Sequence, residues 1–234
     1  MAAYDEFERR LGERMAALLR RIDENRLREA LERGETFDLP DLTEREWFYR
    51  EVAWHFWEVR ASVQALREIP AYLRYFPKYK TWTKHGITAG RYLRYHVERY
   101  LEENYILQLR VKAFLDWLAG RLTGAGQQDD ADRVATIKKK FVAVMKQHAK
   151  TRGMHVHRER YSDEWLWWIG AAELAGRDDP HLATFADHLC GLVRAVWRRR
   201  IRENNTAVEL RLDVVFAEIG PLIFPDWGDV RQIT

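Results

Sequence analysis

The spacing of apolar residues constrains the fold of this chain more than any other feature of its sequence. In nearly every long segment, leucine, isoleucine, valine and aromatic residues recur every three to four positions, and almost no segment alternates with a period of two. The first spacing places side chains on one side of an α-helix, whereas alternation would place them on one face of a β-strand. No repeat of fixed length is present, which argues against a solenoid. We therefore predict an all-α fold, a bundle of about five to seven helices in a single domain over residues 1–234.

Capping residues, glycines and prolines divide this pattern into helices. A charged helix is predicted over residues 3–33, and the segment 1–34 is a candidate for a peripheral position. Thr43 and Glu46 form a capping-box pair, which predicts the start of a second helix, and Pro70 predicts its end. Further helices are predicted from about Thr88 to Leu122, from the acidic residues at 129–132, from a start at Ser162 with Asp163 and Glu164 up to Gly176, and from Asp179-Pro180 towards Pro221.

The tryptophans are assigned by the same periodicity. Trp47, Trp54 and Trp57 are predicted on the apolar side of the second helix. Trp165, Trp167 and Trp168 spread around a shorter helix, so they cannot all face one core. We expect a homodimer interface to cover at least one of them, although a long loop or the segment 224–227 would serve equally well.

Composition limits the classes of protein that fit. Residues of hydrophobic type make up 47% of the chain and charged residues 32%, which suits a folded protein with a sizeable core. The single Cys190 excludes an internal disulfide, and neither a secretory signal nor an apolar run of membrane-spanning length is present. We therefore expect a cytoplasmic protein without a membrane partner. The net charge of +3 is too small to indicate nucleic acid by itself.

The distribution of charge is more informative than its sum. Residues 69–97 contain no acidic residue and interleave arginine and lysine with tyrosine, phenylalanine and tryptophan, a mixture suited to phosphate contact and base stacking. Residues 133–158 also lack acidic residues. The candidate RNA-binding residues of this second window are Lys139, Lys146, Lys150 and Arg158. Lysine-rich helices are also common as solvated surfaces, and that alternative remains open.

The second window leads into the segment 150–158, which holds Arg152, His155 and His157. Histidine moves protons near neutral pH, and a guanidinium group binds phosphate through two parallel hydrogen bonds. RNA carries its own nucleophile, the 2′-hydroxyl, so this pair of residue types can cleave it without a metal ion. Neither a metal ion nor a cofactor is expected, because His155 and His157 have no cysteine and no evident carboxylate partner nearby.

Together, a long helix with Glu102, Tyr105, Leu109 and Arg110, a second helix that ends at Arg152, and His157 five positions later resemble the HEPN superfamily. That superfamily is named for higher eukaryotes and prokaryotes nucleotide-binding proteins, and its signature is an arginine, four to six residues, and a histidine. The resemblance covers residues 43–220. It implies a helical bundle, a symmetric dimer that joins two Arg/His pairs in one cleft, and metal-independent RNA cleavage.

Carried over to this chain, the resemblance makes His157 the general acid/base and Arg152 the residue that holds the scissile phosphate. The chain departs from the family at Gly153, where a polar residue, often asparagine, is usual. His155 competes with His157 for the role of proton carrier, because it lies three residues from Arg152. His155 and Gly153 are therefore accessory candidates. In a purely structural interpretation, Gly153 caps a helix and the arginines offset its dipole.

These residues predict a metal-independent endoribonuclease that leaves a 2′,3′-cyclic phosphate. Its partners would be RNA, a second copy of the chain and, for a toxin or defence effector, a neutralising protein. The alternative is a non-catalytic module of the same fold that binds RNA or nucleotides or mediates dimerisation, with Gly153 marking a decayed site.

Overall fold

The computed structural model describes residues 2–34, 41–76, 82, 84–153 and 163–226, with side chains described for all of these except Arg26 and 146–153. The described residues form helices and no strand. The all-α helical bundle predicted from the apolar spacing is therefore confirmed. The helices are α1 (Ala2–Leu19), α2 (Glu24–Arg33), α3 (Glu44–Tyr72), α4 (Ala89–Gly124), α5 (Gln128–Gly153), α6 (Glu164–Ala175) and α7 (Pro180–Ile223).

The predicted capping residues begin the helices as expected. The Thr43 backbone N–H donates to the Glu46 carboxylate at 2.8 Å, and the Glu46 backbone N–H donates to the Thr43 hydroxyl at 3.3 Å, which completes the capping box. The Asp163 carboxylate accepts from the backbone N–H of Trp165 at 2.9 Å. Asp179 caps α7 in the same way, at 2.8 Å from the backbone nitrogen of residue 181.

Three boundary predictions are wrong. The predicted helix over 3–33 is divided into α1 and α2, because the Asp23 carboxylate accepts from the Asn25 backbone N–H at 2.9 Å and starts a new helix there. Pro70 and Pro221 do not end their helices, since α3 continues to Tyr72 and α7 to Ile223. A proline within the last turns removes one N–H while the next residues still bond: the Phe224 N–H donates to the Gly220 carbonyl at 2.8 Å.

The chain divides into two compact units. Unit 1 comprises Met1–Val59, Ala113–Ile137 and Leu210–Thr234. Its core surrounds Phe7, which is fully buried. The ring centroid of Phe7 lies 4.7–6.2 Å from those of Phe56, Phe114, Phe216 and Phe224. The Asp213 carboxylate accepts from the first backbone N–H groups of α1 at 2.8 and 3.0 Å, so α1 is anchored in this unit rather than peripheral to it.

Unit 2 comprises Arg60–Lys112 and Lys138–Glu209 and contains the candidate site residues. Its core is built from leucine, valine, isoleucine, methionine and aromatic side chains of α3 to α7. Along α4, Leu107 and Val111 are buried in this unit at the four-residue spacing of one helix side. On α5, Phe141 and Met145 are buried, whereas Val144 is 41% exposed.

The predicted inward positions of the tryptophans are wrong. Trp54 is 72% exposed and Trp57 is 62% exposed. The buried side of α3 carries Val52, Phe56 and Val59, and a residue two positions from Val52 and Phe56 lies on the opposite side of the helix. On α6 the buried residues are Leu166, Ile169 and Ala172. The three tryptophans of α6 are exposed, Trp165 by 56%, Trp167 by 57% and Trp168 by 49%.

Within the described ranges, none of the helices combines the length and the apolar character that crossing a membrane requires.

Candidate functional site

The last described residues of α5 are also the first residues of the predicted catalytic segment. Arg152 lies on this helix, while the side chains of 146–153 lie outside those described. His155, His157 and Arg158 lie outside the described residues altogether. The prediction that Arg152 and His157 form a catalytic pair therefore stays a prediction.

The backbone of α5 nevertheless fixes the register of its positions. Arg152 lies eleven residues after Phe141 and seven after Met145, so its Cα is on the side of the helix from which those two residues enter the core. Lys139 is exposed, and the Cα atoms of Lys146 and Lys150 follow it at seven and eleven residues. The three lysine positions therefore share a second side of α5, away from that of Arg152.

A buried charged cluster joins α3 to α4. The Glu103 carboxylate is 2% exposed and the Ser62 side chain is fully buried. The Ser62 hydroxyl donates to Glu103 Oε1 at 2.6 Å, and Arg110 Nη1 donates to the Ser62 oxygen at 2.7 Å and lies 3.6 Å from Glu103 Oε1. Arg99 Nη2 lies 2.8 Å from Glu103 Oε2. Both carboxylate oxygens thus have partners, as burial of a charge requires.

Sequence analysis missed Glu103 and Ser62. It selected the neighbouring Glu102, whose side chain is 54% exposed and lies 3.8 Å from Arg99. The available signal was the helical register, because Glu103 precedes the buried Leu107 by four residues and Val111 by eight. A glutamate in an apolar register needs a charged or hydrogen-bonding partner, and Arg110 is seven residues away on the same helix.

A second polar feature is a cavity of about 340 Å³ between the start of α4 and α6. We call it the arginine pocket, because Arg91, Arg94 and Arg177 line it together with Glu173 and Leu174. Glu173 connects the two helices that line the pocket through hydrogen bonds. One carboxylate oxygen accepts from the Thr88 hydroxyl at 2.7 Å and the other from the Gly90 N–H at 2.8 Å, so α6 caps the N-terminus of α4.

The close approach of α6 to α4 depends on glycine. A Cβ atom at position 90 would lie 2.5 Å from Ile169 Cγ2 and 2.9 Å from both carboxylate oxygens of Glu173. Only a residue without a side chain lets the two helices approach to this distance.

Burial favours the neutral form of two described histidines, His55 and His96. His96 contacts the rings of Tyr72, Tyr92 and Tyr95 at centroid distances of 4.4–5.2 Å, and burial lowers its pKa. Burial also lowers the pKa of His55, against an opposing effect of Glu51. Both rings pack among aromatic side chains, which is a structural role.

Cys190 is equally unreactive, because burial raises the pKa of its thiol to about 11. Among the residues with described side chains, no three histidine, cysteine, aspartate or glutamate residues are grouped as metal ligands would be.

Comparison of the chain with protein-family models, with curated proteins and with solved structures found no match.

Proposed function

We propose that this protein is a metal-independent endoribonuclease of HEPN type, in which Arg152 binds the scissile phosphate and His157 carries the proton. The observation that carries the proposal is the spacing of these two residues within a stretch, residues 133–158, that contains no acidic residue. An anionic chain approaching the end of α5 meets no competing carboxylate from that segment.

The chemistry needs few groups. His157 accepts the proton of the 2′-hydroxyl, the 2′-oxygen forms a bond to phosphorus, and the bond from phosphorus to the 5′-oxygen breaks. The leaving oxygen takes up a proton, so the products are a 2′,3′-cyclic phosphate and a 5′-hydroxyl end. Arg152 offsets the charge that develops on the phosphate oxygens. Acid/base assistance of this kind contributes on the order of 10²–10⁴-fold in rate.

The positions of Lys139, Lys146 and Lys150 share one side of α5, and these lysines, with Arg158 later in the sequence, would contact the RNA backbone. A second copy of the chain would supply the other Arg/His pair. A toxin or defence role would add a neutralising protein partner.

A binding module without catalysis is the second candidate, and Gly153 is the observation that favours it. Where members of the HEPN superfamily usually place a polar side chain beside the arginine, this chain has none to position substrate or water. In that case RNA or a nucleotide would bind and remain intact.

The first experiment is cleavage of a short RNA by the purified full-length chain in the presence of a chelator. Arg152→Ala and His157→Ala are compared with Arg28→Ala and His181→Ala, which change the same residue types at exposed positions of other helices. We expect both motif variants to lose at least about 10²-fold in rate and the controls to retain it. Equal rates in all five proteins would contradict the assignment.

A substrate change tests the nucleophile independently of any variant. Replacing one nucleotide at the cleavage position by its 2′-deoxy counterpart removes the attacking hydroxyl, so cleavage there should stop while binding persists. Continued cleavage at the deoxy position would exclude the proposed chemistry. Binding without cleavage of any RNA would support the binding module instead.

A further inference from the structure

The arginine pocket is the described feature that the proposed nuclease chemistry does not use. Arg91 and Arg94 come from the first two turns of α4, and Arg177 follows α6. All three line the same cavity of about 340 Å³, which lies within the range of about 300–1,000 Å³ typical of small-ligand sites.

Two of the guanidinium groups are oriented by backbone oxygens. Arg91 donates to the Gly86 carbonyl at 2.8 Å and Arg94 donates to the Leu166 carbonyl at 3.1 Å. Each guanidinium group has five N–H donors, and among the described residues neither has a further hydrogen-bond partner, so most donors of both remain for a ligand. Among the described side chains, no carboxylate lies within 4.0 Å of the Arg91, Arg94 or Arg177 nitrogens.

Charge in the pocket favours an anion. Three arginines face a single carboxylate, Glu173, so the lining carries a formal charge of +2. Both oxygens of Glu173 are already occupied by Thr88 and Gly90. The N-terminus of α4 is thereby capped, and the arginines rather than the helix amides are the groups that a ligand would contact.

We propose that the arginine pocket binds a terminal phosphate group, that is, a phosphate monoester. A monoester presents three free oxygens and up to two negative charges, which matches three guanidinium groups. An internal phosphodiester has only two free oxygens and needs room for a chain on both sides. A carboxylate has two oxygens and one charge. Leu166 and Leu174 supply an apolar wall for the remainder of the ligand.

The monoester has two sources, a small phosphorylated molecule or the 5′-phosphorylated end of an RNA. The inference does not depend on Arg152 or His157, so the pocket stands or falls separately from the proposed nuclease.

The test is a titration of the full-length protein followed by calorimetry, with adenosine 5′-monophosphate, adenosine, and a short RNA carrying either a 5′-phosphate or a 5′-hydroxyl. The variants are Arg94→Lys, which keeps the charge but loses the fork of donors, and Arg177→Ala. Arg177 lies in an exposed turn, so its variant leaves the helices intact. Arg28→Ala on α2 is the matched control for loss of one positive charge.

We expect the monophosphate to bind at least tenfold more tightly than adenosine, and Arg177→Ala to weaken it by about tenfold or more. Arg94→Lys should also weaken it, and Arg28→Ala should not. If the phosphorylated RNA binds more tightly than the monophosphate, and only its 5′-phosphate preference is lost in Arg177→Ala, the ligand is an RNA end. Equal binding of adenosine and its monophosphate, with no 5′-phosphate preference in RNA, would overturn the proposal. An undiminished phosphate preference in Arg177→Ala and Arg94→Lys would also overturn it.

Discussion

Replacing Glu103 by alanine should destabilise the protein strongly, because this carboxylate is the common acceptor of a buried cluster. Its loss leaves the fully buried Ser62 hydroxyl without its acceptor, which costs about 1–3 kcal/mol. It also removes the carboxylate that lies near Arg99 and Arg110. Breaking a buried ion pair typically costs about 3–5 kcal/mol. The side chains of Arg99 and Arg110 are 44% and 30% exposed, so water replaces part of what they lose. We expect about 3 kcal/mol.

The neighbouring Glu102 provides the matched control. It is the same residue type on the same helix, but its side chain is 54% exposed and lies 3.8 Å from Arg99. Glu102→Ala should therefore change the free energy of unfolding by no more than about 0.5 kcal/mol. Urea unfolding of the full-length protein, followed by far-UV circular dichroism, compares the two variants directly.

A triple variant tests whether the cluster affects stability through the pairing of its polar groups or through the space that its side chains fill. Ser62→Ala, Glu103→Leu and Arg110→Met together replace the charged groups by apolar groups of similar size, an exchange that is often neutral or stabilising. The triple variant should thus be more stable than Glu103→Ala alone. The reasoning is refuted if Glu103→Ala costs no more than Glu102→Ala, or if the triple variant is less stable than the single one.

Three further predictions follow from burial and close packing, and denaturant unfolding checks each of them. Phe7→Ala should cost about 3–5 kcal/mol because Phe7 is fully buried among four aromatic rings, whereas Leu31→Ala, at a position 72% exposed, should cost less than about 0.5 kcal/mol. Gly90→Ala should destabilise the protein by about 1–3 kcal/mol, because the new Cβ would lie 2.5 Å from Ile169 Cγ2. Gly120→Ala on the same helix, where a Cβ has nothing within 4 Å, should stabilise it by up to about 1 kcal/mol. A loss of stability in both variants would contradict the packing argument. Burial lowers the pKa of His96 below its unfolded value of 6.5, so the unfolded state binds a proton at a higher pH than the folded state does. The free energy of unfolding should therefore fall as the pH drops from 6.5 towards the folded pKa. His96→Phe should flatten that part of the stability curve, and an unchanged slope would contradict the prediction.

The sequence predicted the helical class and the caps well because these depend on residues close together in the chain. The capping box at Thr43 and Glu46 needs only four consecutive residues, and the Asp163 cap only three. Hydrophobicity predicted less about which side of a helix is buried. Trp54 is strongly apolar yet exposed, because the angular positions of Val52 and Phe56 decide which side of α3 faces the core. Whether a large apolar residue on a helix is buried is therefore predicted better by its angular position on the helix than by its hydrophobicity.

The two functional proposals differ in the same way, because one rests on residues close together in the chain and the other on residues far apart in it. The Arg152–His157 pair is a local spacing that sequence alone can propose. The arginine pocket was beyond the reach of that reasoning, because it forms only when α6 approaches the start of α4 through Glu173 and Gly90, which are 83 residues apart. Arg91 and Arg94 were noticed only as members of a basic, aromatic segment, and Arg177 was not noticed at all.

The two proposed sites would recognise different features of an RNA substrate, so the cleavage and binding experiments can be interpreted together. The proposed cleavage through Arg152 and His157 would require a 2′-hydroxyl at an internal position and would not depend on the 5′ end. The proposed binding in the arginine pocket would require a terminal phosphate and would not depend on any 2′-hydroxyl. If 2′-deoxy substitution stops cleavage while Arg177→Ala removes only a preference for 5′-phosphorylated RNA, the protein both cuts RNA and selects it by its end. If the pocket prefers the free monophosphate and cleavage is unchanged by the 5′ end, the pocket serves a small ligand, and the cleavage motif acts without it.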